Sequence, residues 1–177
     1  DPITGQALDK AFDYLSKLKD DSELDKKLEL AFGDRFDRDL AEKLITDFSQ
    51  ENFTDLPSIE IISGKNINNA NGAFAAATNT IYLSSEFVAS STNSKDAIAG
   101  VILEEIGHYL DSQINYADSS GDEGDIFSRT VRGEQIDTQE LNALKLEDDS
   151  AVMFDGDRDI AIERSTIIPT VKMIVPD

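Results

Sequence analysis

His108 is the only histidine in the 177-residue chain, and it stands in the run Leu103-Glu104-Glu105-Ile106-Gly107-His108-Tyr109-Leu110. Imidazole and carboxylate are the side chains that hold divalent cations and move protons near neutral pH. A single histidine excludes any site built on two, the standard two-histidine zinc centre included. On a helix, Glu104 and His108 line one edge a turn apart, while Glu105 falls between Ile98 and Val101/Ile102 on the apolar side. A carboxylate buried there costs several kcal/mol unless it is paired, hydrogen-bonded or coordinated. Two readings follow: Glu104 and His108 ligate one divalent metal with Glu105 facing the metal's water, or the glutamates form a solvated rim with weak Glu–His pairing.

More acids crowd the region after His108. Asp111, Asp118, Asp122 and Asp125 offer oxygen ligands suited to calcium, but their spacing does not fit an EF-hand, and solvated loop acids explain them equally. Asp155-Gly156-Asp157 reads as a hairpin turn. Tyr109 and Tyr116 are possible phenolic donors, with core packing the simpler account of Tyr109. The chain carries no serine nucleophile elbow, phosphate-cradling glycine loop or basic patch.

The elements that must position these residues are legible from periodicity. Leu8, Ala11, Phe12, Leu15 and Leu18, then Leu24, Leu28 and Phe32, then Leu40, Leu44, Ile45 and Phe48 recur at helical spacing, giving three helices over about 5–50. Their apolar stripes serve the protein's own body or a partner. Gly33 is expected to stop the second helix, and Asp37 or Asp39 to cap the third. Ser58–Ser63 reads as a strand, 64–72 as an Asn/Gly-rich loop, and Ala73–Ala77 with Thr80–Ser84 as a hairpin turning at Thr78-Asn79. Lys95–Ile114 is the strongest helix and the expected core element, with Asp96 at its start. Short helices are expected over Asp125–Arg132 and over Thr138–Leu146, the latter capped by Thr138, and a last hairpin pairs Ala151–Phe154 with Asp159–Glu163.

Composition bounds the rest. Sixteen basic against 36 acidic residues give a net charge of −20, and the pI near 4.2 disfavours nucleic acid and anionic membrane as partners while favouring cations. The absence of cysteine removes disulfide, thiolate-zinc and iron–sulfur chemistry. No apolar run approaches the roughly 18 residues of a membrane span, so no membrane insertion is expected. The start at Asp1-Pro2 has neither the charged nor the apolar region of a signal peptide, and a chain beginning without Met is expected to be a fragment or processed product.

The Glu-Glu-Ile-Gly-His run resembles the active-site helix of the zincin metallopeptidases, whose H-E-x-x-H motif places two histidine ligands a turn apart around a general-base glutamate. Here Glu104 stands at the first ligand position. The resemblance implies Glu105 as general base, Glu104 and His108 as metal ligands, and, as in the gluzincin branch, Glu123 in Gly121-Asp122-Glu123-Gly124 as the third ligand, with Asp118 and Asp122 as alternatives. It also implies that the Ala73–Ser84 hairpin offers an edge strand on which an extended peptide is aligned. The likeness covers about residues 58–134. LEEIGHYLDSQIN followed by DSSGDEGDIF is further similar to a domain of photosynthetic-bacterial proteins that carry haemolysin-type calcium-binding repeats, which suggests a secreted or extracellular setting.

The expected fold is therefore α+β and zincin-like: a small mixed sheet packed on the active-site helix. The expected division is an N-terminal helical subdomain (1–51), a metal-binding domain (52–164) and a tail (165–177). The expected cofactor is one divalent metal, zinc first, with manganese, iron or calcium admitted because a Glu104–His108–Glu123 set is harder than a histidine-rich one. Two anionic ligands also raise the pKa of the metal's water and blunt its ionisation. The expected function is metal-dependent hydrolysis of a polypeptide substrate, or maturation of a larger exported chain. The alternative is a non-catalytic module on the same scaffold, binding calcium or a protein partner.

Overall fold

A computed structural model of the chain describes residues 2–90, 94–117, 119 and 121–165. Lys95–Ile114 (α5) forms its axis. Ser94 caps this helix by accepting from the Ala97 amide at 3.3 Å, with Asp96 in the first turn. From Ile98 to Asp111 only Val101 is not buried, so the helix is covered on every side rather than along one stripe.

Three sets of elements provide the cover. Pro2–Ser16 (α1), Leu24–Phe32 (α2) and Arg38–Ser49 (α3) turn Ala7, Ala11, Leu15, Leu28, Phe32, Leu44 and Phe48 inward, and these share one continuous core with Ile98, Ile102, Leu103, Ile106 and Leu110 of α5. The N-terminal stripes thus pack on the protein's own body instead of facing a partner. Gly33 ends α2 at φ +79°, and Asp37 caps α3 by accepting from the Leu40 amide. On a second side lie Glu123–Val131 (α6) and Thr138–Lys145 (α7), with Phe127 reaching Phe32 at a ring separation of 5.7 Å. The caps of these two helices differ from expectation. α6 starts two residues early because Asp122, not a later residue, accepts from the Asp125 amide, and Asp137 rather than Thr138 caps α7.

The third side is a five-stranded mixed sheet. Ser58–Ile62 (β1) runs parallel to Thr80–Ser84 (β3), and Gly72–Ala75 (β2) pairs antiparallel with β3. Asp159–Arg164 (β5) pairs antiparallel with β2 and with Ser150–Phe154 (β4), giving the order β1-β3-β2-β5-β4. The connection between β2 and β3 is a 3₁₀ turn over Ala76–Thr78 closed by Asn79 in the left-handed region, longer than a two-residue turn. Ser84 caps the short helix Ser85–Ala89 (α4), and the expected Asn/Gly loop contains a 3₁₀ turn, Gly64–Ile67, whose Ile67 is fully buried.

Strand alternation divides the sheet's two faces. Phe74, Ile81 and Leu83 join the core under α5, and Phe74 meets Tyr109 edge-on at 6.0 Å. Ala73, Ala75, Tyr82, Met153, Ile160 and Ile162 form a smaller core with Ile67 on the outer face. The β2–β3 hairpin, expected to offer a free edge, is interior because β5 covers β2; the edges are β1 and β4. The overall class is α+β. Residues 166–177 of the tail lie outside the described residues.

Candidate metal centre

Glu104, Glu105 and His108 are all buried, Glu105 and His108 completely, which rules out the solvated-rim reading. Five further carboxylates reach the same volume or its border: Asp122, Glu123 and Asp125 at the start of α6, Asp149 just before β4, and Glu163 on β5. His108 is the hub. Its Nδ1 lies 2.9 Å from Glu123 Oε1 and 3.2 Å from Glu163 Oε2, and its Nε2 lies 3.5 Å from Asp149 Oδ2 and 3.8 Å from Asp122 Oδ1.

Each residue of Gly121-Asp122-Glu123-Gly124 has a local reason to be there. Gly121 takes φ +89°, and a Cβ on it would stand 2.3 Å from Lys145 Cα. Asp122 caps α6, and Glu123 turns to His108. Gly124 lets α6 meet α5: a Cβ on it would lie 2.5 Å from the Glu104 carbonyl oxygen and 2.6 Å from His108 Nε2. Gly107 is its counterpart on α5, where a Cβ would stand 2.9 Å from Gly124 Cα. The two glycines let the helices cross close enough for carboxylates on α6 to reach an imidazole on α5.

Among the described residues three groupings place ligand atoms within 4.8 Å of one another, and His108 belongs to all of them: Glu104–Glu105–His108, His108–Glu123–Glu163 and His108–Asp122–Asp149. The structure thus brings every expected site residue to His108, but Glu123 groups with Glu163 rather than with Glu104. Asp118 lies outside the described residues. Asp111 is engaged elsewhere, accepting from Asn115 Nδ2 and from the Ser119 amide, and Asp125 is paired with Arg129 at 3.5 Å. Tyr116 is fully exposed, and Tyr109 belongs to the core. Asp155 accepts from the amides of Asp157 and Arg158 within its turn.

Asp149 and Glu163 were not singled out by the sequence. Glu163 had a weak signal: in Ile160-Ala161-Ile162-Glu163, period-2 alternation puts it on the face opposite the two isoleucines. Asp149 had none, because its place depends on β5 pairing with a strand far back in the chain.

The electrostatics are those of excess buried negative charge. Burial and the Asp122 charge push Glu104 well above the usual carboxylate range, and burial with the neighbouring acids does the same to Glu105. Burial raises Asp122 to about 7 and Asp149 to about 6 despite the opposing pull of His108. Burial also raises Glu123. Burial disfavours a charged imidazole, yet the hydrogen bond with Glu123 and the Glu163 carboxylate 3.2 Å from the same nitrogen hold His108 well above its ordinary value. Of the nine buried side-chain nitrogen and oxygen atoms without a hydrogen-bond partner among the described residues, seven belong here: Glu104 Oε1, both Glu105 oxygens, His108 Nε2, Glu123 Oε2, Asp149 Oδ2 and Glu163 Oε2. Such atoms are costly to leave unpaired, and native proteins rarely do. This donor set is hard, anionic and converging, so it could hold a divalent metal ion.

No family model, curated protein or solved structure matches the chain. Among the described residues no helix is long and apolar enough to cross a membrane.

Proposed function

We propose that the chain is a divalent-metal-dependent peptidase of zincin-like pattern, zinc being the first candidate ion. The observation that supports this reading best is the convergence of seven unpartnered buried polar atoms on His108, one turn after the paired glutamates of α5. The residues around His108 would hold a divalent cation, which would supply Lewis acidity toward the peptide carbonyl and the attacking water. Glu105 is the general base: it is fully buried, both its oxygens lack a protein partner, and it groups with His108 and Glu104. It accepts the proton of the attacking water and returns it to the leaving amine nitrogen. A cation bound beside Glu105 would oppose the burial that raises its carboxyl and so favour the ionised base.

A second reading, a non-catalytic binding module on this scaffold, is favoured by one observation: β5 covers the strand expected to receive substrate, and the central side chains are sealed from solvent. Plasma mass spectrometry of the dialysed protein, followed by a peptidase screen, separates the two. Peptidase action requires about one transition-metal ion per chain that is lost in His108→Ala, and hydrolysis that is lost by about 100-fold or more in Glu105→Gln while the metal is retained. Metal binding without hydrolysis leaves the binding module. No metal at all removes the peptidase reading.

A further inference from the structure

We propose that the cation is held on the Nε2 side of His108 by Asp122 and Asp149, with Glu123 orienting the ring through Nδ1, so that the ion clamps the C-terminal β4–β5 hairpin over Glu105. This rests on the reading of a divalent metal at His108. It replaces the expected Glu104 and Glu123 ligands with a set that spans the helical core and the hairpin.

The two ring nitrogens are not equivalent. Nδ1 stands at hydrogen-bond distance from Glu123, 2.9 Å, which is the relation of a ligating histidine to the carboxylate that fixes its tautomer. Among the described residues Nε2 has no hydrogen-bond partner, and its distances of 3.5 Å to Asp149 and 3.8 Å to Asp122 are too long for hydrogen bonds. They match the roughly 3–4 Å that separates neighbouring ligand atoms around one ion with bonds of about 2.0–2.5 Å. Asp149 Oδ2 is itself buried and unpartnered. The missing Cβ of Gly124, which would stand 2.6 Å from Nε2, keeps this side of the ring clear.

Asp149 is fixed to the hairpin, since its carbonyl accepts from the Arg164 amide at 3.0 Å. Glu163, one residue earlier on β5, brings a second carboxylate against the ring. Against these like charges the backbone offers little. β5 and β2 pair at two positions, Ala73 with Arg164 and Phe74 with Glu163, where the other pairs in the sheet have four or five. Ser165 adds three more bonds to Gly72, donating its amide and its hydroxyl to the carbonyl and accepting from the Gly72 amide through Oγ. An ion shared by Asp122 and Asp149 cancels the repulsion and locks the hairpin down. Its departure leaves residues 149–164 held by those few bonds and by the outer-face core of Met153, Ile160 and Ile162, so the hairpin opens more often and exposes the β2 edge, on which an extended peptide can pair.

The test combines zinc affinity, measured by competition with a chromogenic chelator, with hydrogen exchange of residues 149–164. Asp149→Asn and Asp122→Asn, the latter preserving the helix cap, are expected to weaken zinc binding by at least the roughly 10–100-fold that losing an outer partner costs, Glu123→Gln by about that range, and Glu104→Gln by less than about threefold. Zinc is expected to slow exchange across the hairpin about tenfold or more in wild type and not in Asp149→Asn. Wild-type affinity in Asp149→Asn together with a large loss in Glu104→Gln, or hairpin exchange indifferent to zinc, overturns the clamp while leaving a metal at His108. Failure of the wild type to bind zinc overturns both.

Discussion

At the scale of single residues, Gly124 carries as much of the centre as His108 does. Alanine there must either displace the imidazole or push α6 away from the Glu104 carbonyl, and neither the backbone oxygen nor the sealed ring has room to yield. Gly124→Ala is therefore expected to cost about 1–3 kcal/mol, read from urea denaturation, and to abolish metal binding even in the folded fraction. Gly5, with nothing within 4 Å of its added Cβ and a place inside α1, is the control, and Gly5→Ala should be neutral or stabilising. Equal effects at the two positions would mean that the α5–α6 crossing relaxes more freely than its contacts indicate.

At the scale of elements, helices and strands were legible because their signals are local. The apolar spacing of Ile98, Ile102, Ile106 and Leu110 marked α5, and the turn at Asp155-Gly156-Asp157 marked the hairpin that contains β5. The Glu104–Glu105–His108 cluster was legible for the same reason, since one helix carries all three, and Glu123 was found through the resemblance. Pairing between distant segments left no such mark. The sequence shows the Ala151–Phe154 and Asp159–Glu163 hairpin as a unit but not the strand it docks on, and from that docking follow the covered β2 edge and the arrival of Asp149 and Glu163 at His108. Capping misreadings had a smaller cause: Asp137 and Thr138 are both good caps, and only the backbone angle at Asp137 selects it.

At the scale of the whole molecule, a protein of net charge −20 places six carboxylates around its single imidazole. Asp122 and Asp149, raised from 3.8 to about 7 and about 6, hold protons that the unfolded chain releases. The stability those protons provide is complete below about pH 4 and is lost as pH rises through 6 to 7. His108, raised above 6.5, contributes stability that is complete below 6.5 and lost at higher pH, which adds in the same direction. The metal-free protein is thus expected to melt on the order of 5–10 °C lower at pH 8 than at pH 5, with zinc closing most of that gap at pH 8. A melting temperature that is flat or rises with pH in chelator would contradict this account of the cluster. The Gly72–Ser165 bonds join residues 93 positions apart, whereas β2 and β3 are linked by a short turn. Contacts of such long span form late, because their loop entropy is met only once the rest is in place. Docking of the β4–β5 hairpin on β2 is therefore expected to be the last step of assembly, after the helices and β1–β3. During the interval the acid cluster lacks Asp149 and Glu163 and lies open to ions. Refolding watched by stopped-flow fluorescence of a probe on the hairpin should show a slow final phase that zinc accelerates, and a single zinc-independent phase would exclude that order.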